Sequence, residues 1–401
     1  MNKFFKKNLP AAVIAAVLLA AVILSGAMLK ENYKEDKHQP PADQKENNVR
    51  INNEENNNSN SEENEITGSK ENKEAELETY EAELFIEAKW GSGKGEVGLW
   101  NPSEQGIEDA GPNYGPQSFD IDESNGHFFL LDSINKRVIE YDENGKYLRD
   151  FSIGIGATTD MKIKNGYIYI LSFGSDAVYK LDMSGKILET YPITPGKNPG
   201  VGNGGIEFDE DENIMVETSV DGYNDGDYRF YQIGPDGDEW KTNSYIGNIT
   251  RDKKGFYFIE GVDWLTRKVQ TLDRSGSFQK EFTIKLPQKA YVYYKGSDKE
   301  GNIYLDVGFE FGSIWDDNSY IDHFIWKYNI DGKLLTEIDR SIPLQELFEK
   351  QKNEILTVKS GFNGYYASGP INTKVSAKED IYWMASFGNK GLIIFKYSKT
   401  E

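Results

Sequence analysis

The sequence predicts an all-β fold: a six-bladed β-propeller of four-stranded antiparallel blades, preceded by an N-terminal transmembrane helix and a disordered linker. Three observations predict it. A short apolar strand opened by Gly or an acidic residue recurs six times. A turn ending in Gly follows five of the copies. A charge-free stretch and then a polar tract precede them all.

Residues 1–30 come first. Leu9 to Leu29 carries no charge and follows Lys3, Lys6 and Lys7. About 20 apolar residues suffice to cross a bilayer as a helix. The lysines would stay in the cytoplasm, placing the rest of the chain outside. The rival reading is a signal peptide cut near Ser25-Gly26-Ala27, which would make the protein secreted. The length favours an uncleaved, single-pass anchor in the cell membrane. Leu24-Ser25-Gly26-Ala27 resembles a lipobox, but Ala27 stands where a lipidated Cys would be.

Residues 31–79 are rich in Asn, Glu, Lys and Ser and nearly free of large apolar side chains. Such a segment cannot offset the entropy of ordering, so it reads as a disordered acidic linker. As a flexible coil of about 50 residues it would reach roughly 40 Å. Glu71 to Glu83 reads as a short helix leading into the folded part, residues 80–401.

Next comes an orphan strand, residues 83–90, Glu83-Leu-Phe-Ile-Glu-Ala-Lys-Trp90. The six repeats follow. They are Gly126-His-Phe-Phe-Leu-Leu, Gly166-Tyr-Ile-Tyr-Ile-Leu, Glu212-Asn-Ile-Met-Val-Glu, Gly255-Phe-Tyr-Phe-Ile-Glu, Gly301-Asn-Ile-Tyr-Leu-Asp and Glu379-Asp-Ile-Tyr-Trp-Met. A period of about 40–45 residues built from short strands signals a propeller. The turns Tyr141-Asp-Glu-Asn-Gly, Leu181-Asp-Met-Ser-Gly, Ile233-Gly-Pro-Asp-Gly, Leu272-Asp-Arg-Ser-Gly and Tyr328-Asn-Ile-Asp-Gly supply the positive φ that tight hairpins need. The sixth unit ends on Leu392-Ile-Ile-Phe-Lys-Tyr, with no room for a fourth strand before Glu401. Strand 83–90 is expected to supply it and close the ring. The longest insertion, 341–370, opens on a proline-led helix from Pro343 and continues into an aromatic, Gly-rich loop.

Ala88-Lys-Trp-Gly-Ser-Gly-Lys-Gly, Pro116-Gln-Ser-Phe-Asp-Ile-Asp and Leu131-Asp-Ser-Ile-Asn-Lys-Arg-Val-Ile-Glu-Tyr-Asp-Glu-Asn-Gly-Lys together resemble an NHL repeat, and Ala177-Val-Tyr-Lys-Leu-Asp-Met-Ser-Gly-Lys is similar. The resemblance spans about residues 82–401 and is clearest in the first two units. It implies a six-bladed propeller, with activities that range across the family from protein or RNA binding to lyase and lactonase chemistry.

Composition narrows the chemistry. There is no Cys, so disulfides and thiolate sites are excluded. With His38 in the linker, only His127 and His323 remain, and a three-His zinc site is not expected. The net charge of −21 disfavours nucleic acid. No Gly-x-Ser-x-Gly nucleophile occurs in its required setting, and Gly200-Val-Gly-Asn-Gly-Gly205 reads as a loop, not a phosphate cradle.

Ligands of propellers sit over the channel, on the loops between second and third strands. Here those loops are expected at 132–136, 172–176, 219–227, 262–266, 308–320 and 386–391. Aromatic and acidic side chains in them form the candidate ligand set: Asp132, Phe173, Asp176, Asp221, Asp225, Asp227, Trp264, Trp315 and Phe387. Asp221 to Asp227 partly resembles a calcium loop, but Tyr223 takes a ligand position, so a solvated turn is the reading. Carboxylates of the innermost strands, Asp120, Asp160 and Glu207, could converge on a cation such as calcium. The expected function is therefore a membrane-tethered extracytoplasmic binding module for a protein, glycan or small ligand. The alternative is a calcium-dependent lyase or lactone hydrolase at the channel mouth.

Overall fold

The computed structural model describes residues 77–100, 115–116, 118–172, 175, 177–193, 205–208, 212–219, 228–233, 240–241, 248–249, 255–263, 265–273, 277–311, 320–340, 343, 373–386 and 391–400. They form six four-stranded antiparallel sheets, each a meander of the kind that makes a propeller blade.

Sheet 1 holds β2 (Ser118–Asp122), β3 (His127–Asp132), β4 (Arg137–Tyr141) and β5 (Tyr147–Ser152). In sheet 2 are β6 (Thr158–Lys164), β7 (Tyr167–Ser172), β8 (Ala177–Asp182) and β9 (Ile187–Pro192). Sheet 3 runs through β10 (Ile206–Phe208), β11 (Ile214–Ser219), β12 (Tyr228–Ile233) and β13 (Trp240–Lys241). Sheet 4 has β14 (Asn248–Ile249), β15 (Gly255–Asp263), β16 (Thr266–Asp273) and β17 (Phe278–Lys285). Sheet 5 is built from β18 (Ala290–Ser297), β19 (Ile303–Phe311), β20 (Tyr320–Tyr328) and β21 (Leu334–Asp339). Sheet 6 contains β22 (Thr373–Val375), β23 (Ile381–Ser386) and β24 (Gly391–Lys399), and its fourth strand is β1 (Tyr80–Lys89).

The six sequence repeats are the second strands of the six sheets. Their opening residue has a physical explanation. Gly126, Gly166, Glu212, Gly301 and Glu379 all adopt φ between 66° and 81°, closing the hairpin from the first strand. Glycine takes that conformation freely; a glutamate pays about 1–2 kcal/mol. Both glutamates use their carboxylates on the preceding sheet. Glu212 accepts from Asn165 Nδ2 at 3.0 Å and pairs with Lys164 at 3.3 Å. Glu379 accepts from Lys327 Nζ at 3.1 Å.

β1 pairs with β24 from Tyr80↔Lys399 to Lys89↔Gly391, with a bulge between Leu84 and Ile86. The strand thus starts three residues before the expected 83. Tyr80–Glu83 are extended, not the end of a helix, because their backbone groups find partners in Lys396–Lys399. Trp90 falls outside the strand and bridges to Val97.

The apolar cores lie between sheets. Phe85, Ile86, Tyr382 and Ile394 of sheet 6 pack with Phe119, Phe128 and Ile139 of sheet 1. Phe129 and Val138 of sheet 1 meet Met161 and Ile170 of sheet 2. Leu171 and Val178 continue to Ile206 and Val216 of sheet 3. Tyr257 and Val269 of sheet 4 meet Leu305 and Trp326 of sheet 5. Finally Tyr304 and Ile325 of sheet 5 join Trp383 and Phe395 of sheet 6. Burial of one such side chain contributes about 1.5–3 kcal/mol. By contrast most of β9 and β17 and half of β5 are exposed outer edges.

The turn glycines have a second task. Gly145, Gly185 and Gly332 have φ of 76°, 88° and 79°, and each leans on the outer strand of the sheet before its own. A methyl group on Gly332 would sit 2.7 Å from Phe282, and one on Gly185 would sit 2.7 Å from Phe151. On Gly145 it would run into the Phe85 carbonyl of β1. β1 therefore stands to sheet 1 as β5 stands to sheet 2 and β17 to sheet 5.

Candidate functional site

The first strands of four sheets carry a chain of polar contacts. Asp120 on β2 accepts from Lys374 Nζ on β22 at 3.1 Å through Oδ1 and from the Ile163 amide of β6 at 2.7 Å through Oδ2. Lys374 also donates to the Met161 carbonyl at 3.3 Å, and its ammonium lies over the Phe119 ring. Asp160 on β6 accepts from Ser118 Oγ at 2.5 Å and from the Ile206 amide of β10 at 2.8 Å. Lys162 on β6 donates to Glu207 on β10 at 2.7 Å. Strand follows strand, β22 to β2 to β6 to β10, each stitched to the next by a carboxylate.

Exposure is graded along this seam. Asp160 is buried, Asp120 and Lys374 are nearly so, and Glu207 is 39% exposed. Burial alone would make the Lys162 ammonium easier to deprotonate. Glu207, Asp120 and Asp160 outweigh that and raise its pKa, so it stays charged. The three carboxylates foreseen as cation ligands thus face protein donors. Among the described residues, no group of three His, Cys, Asp or Glu side chains is placed to hold a metal ion. Lys162 and Lys374 are not among the residues expected from the sequence, where only acids were singled out on the innermost strands. For Lys162 the signal was there, two residues from Asp160 on the same strand; for Lys374 there was none, since no acid lies on its strand.

Asp132 sits at the end of β3 but has no free face. It is fully buried and accepts from the Gly98 amide at 3.1 Å, from Asn135 Nδ2 at 2.8 Å and from Arg137 Nε at 3.0 Å. Arg137 goes on to the Glu96 carbonyl at 2.6 Å, and Asn135 to the Gly91 carbonyl at 2.9 Å. The carboxylate thus anchors loop 91–98 on sheet 1. Both oxygens of this candidate ligand residue accept from protein donors.

Of the other candidates, Phe173, Asp176, Asp221, Asp225, Asp227, Trp264, Trp315 and Phe387 lie outside the described residues. So do residues 344–350 of the proline-led helix and residues 9–29. No helix of the described residues is long and apolar enough to cross a membrane. The loop expected at 308–320 starts later, since Gly308–Phe311 belong to β19. His127 lies on β3 and contacts Glu140 at 2.8 Å, which also holds Arg149 Nε at 2.5 Å. Arg149 then reaches the Met183 carbonyl of sheet 2 at 2.9 Å. That is a surface brace between sheets.

No protein-family model and no curated protein matches the chain. Several solved structures are similar in shape. A member of the DUF4221 family from Bacteroides vulgatus is 10% identical, with a TM-score of 0.44 over 81% of this chain and 98% of its own. A gluconolactonase from Xanthomonas campestris is 12% identical, at 0.40 over 72% and 90%. The calcium-binding protein regucalcin from Agrobacterium tumefaciens is 12% identical, at 0.41 over 71% and 91%. At such values no activity passes from them to this chain.

Proposed function

We propose that the six sheets close into a six-bladed β-propeller, held outside the membrane by the N-terminal segment, that works as a binding module. The ligand would be a protein, a glycan or a small molecule, recognised by the loops joining second and third strands. One observation supports this over a metal-dependent enzyme. Asp120, Asp160 and Glu207 already bond to neighbouring first strands, so the carboxylates serve the scaffold. A catalytic cation would have to compete with Lys374 for Asp120 and with Lys162 for Glu207.

The experiment is elemental analysis of the purified chain together with melting scans in calcium and in chelator. The binding-module reading expects no retained stoichiometric divalent ion and no shift of the melting temperature. A tightly held ion whose removal lowers the melting temperature would transfer the assignment to a lyase or lactone hydrolase. Localisation is tested separately, by protease accessibility of the 80–401 part on intact cells.

A further inference from the structure

The segment just before β1 is bonded to two sheets at once. The Glu78 amide donates to the Leu335 carbonyl at 2.8 Å, and Thr336 Oγ1 donates to the Glu78 carbonyl at 2.6 Å, both on β21 of sheet 5. The Thr400 amide, just past β24 of sheet 6, donates to the Thr79 carbonyl at 2.9 Å. Residues 78 and 79 therefore lie across the seam between sheets 5 and 6.

The Glu78 side chain drives the same joint. It accepts from Lys327 Nζ at 3.0 Å and from Lys399 Nζ at 2.9 Å. The Lys327 side chain is 1% exposed. Its ammonium is also met by Asp298 at 3.3 Å and Glu379 at 3.1 Å, and it lies over the Tyr304 ring. A buried ammonium needs such a cage, and each missing carboxylate leaves charge uncompensated in a poor solvent. Glu78 is the member of the cage that comes from the N-terminal chain.

Beyond this root β1 is unevenly held. Glu81 to Leu84 are exposed, while Phe85, Ile86 and Ala88 are buried. The bulge between Leu84 and Ile86 divides the two halves. The first half is kept in place by its backbone pairing, by the root, by Tyr80 packed against the core between sheets 5 and 6 and by the exposed Glu83–Lys396 pair at 3.6 Å; the second is kept by the core between sheets 6 and 1. A cleft lined by Leu77, Thr79, Tyr80, Ile338 and Tyr397 runs beside the root and brings solvent to it.

We propose that residues 77–79 form a releasable latch. The charge cage on Lys327 pins the root of the N-terminal strand across two sheets, and its release frees Tyr80–Leu84 while Ile86–Lys89 stay paired. Residue 77 begins this joint, so a pull on the N-terminal side of the chain would act here first. Release bares the edge of β24 from Phe395 to Lys399, an opening edge of the kind another strand can occupy. The opening is local, well short of unfolding the domain.

Hydrogen exchange on the full-length chain tests it. Glu78→Gln removes the charge from the root, and Thr336→Val removes a neutral bond to it. Lys327→Met empties the cage and is the variant most at risk of not folding, so the first two carry the test. Glu78→Gln is expected to speed exchange of the protected amides in Tyr80–Leu84 on the order of tenfold, and Thr336→Val less, with Ile86–Lys89 unchanged. Unchanged exchange in Tyr80–Leu84 would overturn the latch. So would equal acceleration through Lys89, since the strand would then open as one piece.

Discussion

Lys374 Nζ lies 3.1 Å from Asp120 Oδ1, joining the first strand of the last sheet to the first strand of the first across 254 residues of chain. The same ammonium reaches the Met161 carbonyl in sheet 2. Three sheets meet at one side chain, which is 12% exposed. A contact of this sequence separation forms only when the chain has come back on itself.

Lys374→Met should therefore destabilise the domain by about 2 kcal/mol, a value below the 3–5 kcal/mol of a fully buried pair because solvent reaches the site. Asp120→Asn should cost less, since the Ile163 amide keeps an acceptor. The double mutant should cost less than the sum of the singles in urea titrations. Strict additivity would mean that the two residues do not interact.

The turn glycines separate two costs. Gly332→Ala and Gly185→Ala meet both a positive φ and an aromatic ring on the sheet before. Gly166→Ala meets the positive φ alone, with nothing within 4 Å of the added carbon. The control should lose about 1 kcal/mol, and the two turn variants about 2–4 kcal/mol. Equal losses in denaturant midpoints at all three positions would refute a role of these turns in sheet packing.

Acid should weaken the seam at Glu78. Burial pushes its carboxyl up, but Lys399 and Lys327 together hold it below its ordinary 4.5. A carboxylate with a lowered folded pKa stabilises fully above the unfolded value and loses that contribution as pH falls through the folded one. The stability gap between the wild-type chain and Glu78→Gln should thus be constant near neutral pH and close below about pH 4.5. A gap that does not change between pH 7 and pH 3 would show the charge to be irrelevant.

Deleting residues 80–89 should abolish cooperative folding. It strips β24 of its partner, removes Phe85, Ile86 and Ala88 from the core against sheet 1, and leaves the Gly145 turn with nothing to lean on. Circular dichroism and a thermal scan of the truncated chain read the result. Retention of a cooperative transition at the wild-type temperature would show that β1 is dispensable.

Much of the architecture was legible from local patterns, because second strands and turns obey short-range rules. A strand buried on both faces must be apolar, as in Phe128–Leu131, and a left-handed turn residue must be small or compensated, as at Gly126 and Glu379. The candidate site was far less legible. Asp120, Asp160, Glu207 and Asp132 stand out in the sequence as acids, but an acid's role depends on which donor faces it, and donors come from distant sheets. Lys374, Ile163, Ile206 and Lys162 supplied them to Asp120, Asp160 and Glu207, while Asp132 was met by Arg137 on the next strand of its own sheet.

The sequence by itself therefore determined the strand period, the hairpin glycines and the absence of thiol chemistry, because each is a property of neighbouring residues. Tertiary structure alone decided that Gly332 rests on Phe282, that the bulge falls between Leu84 and Ile86, and that Lys327 gathers Glu78, Asp298 and Glu379. Those outcomes depend on side-chain packing and on charges buried between sheets, and such forces act only once residues far apart in the chain are brought within a few ångströms.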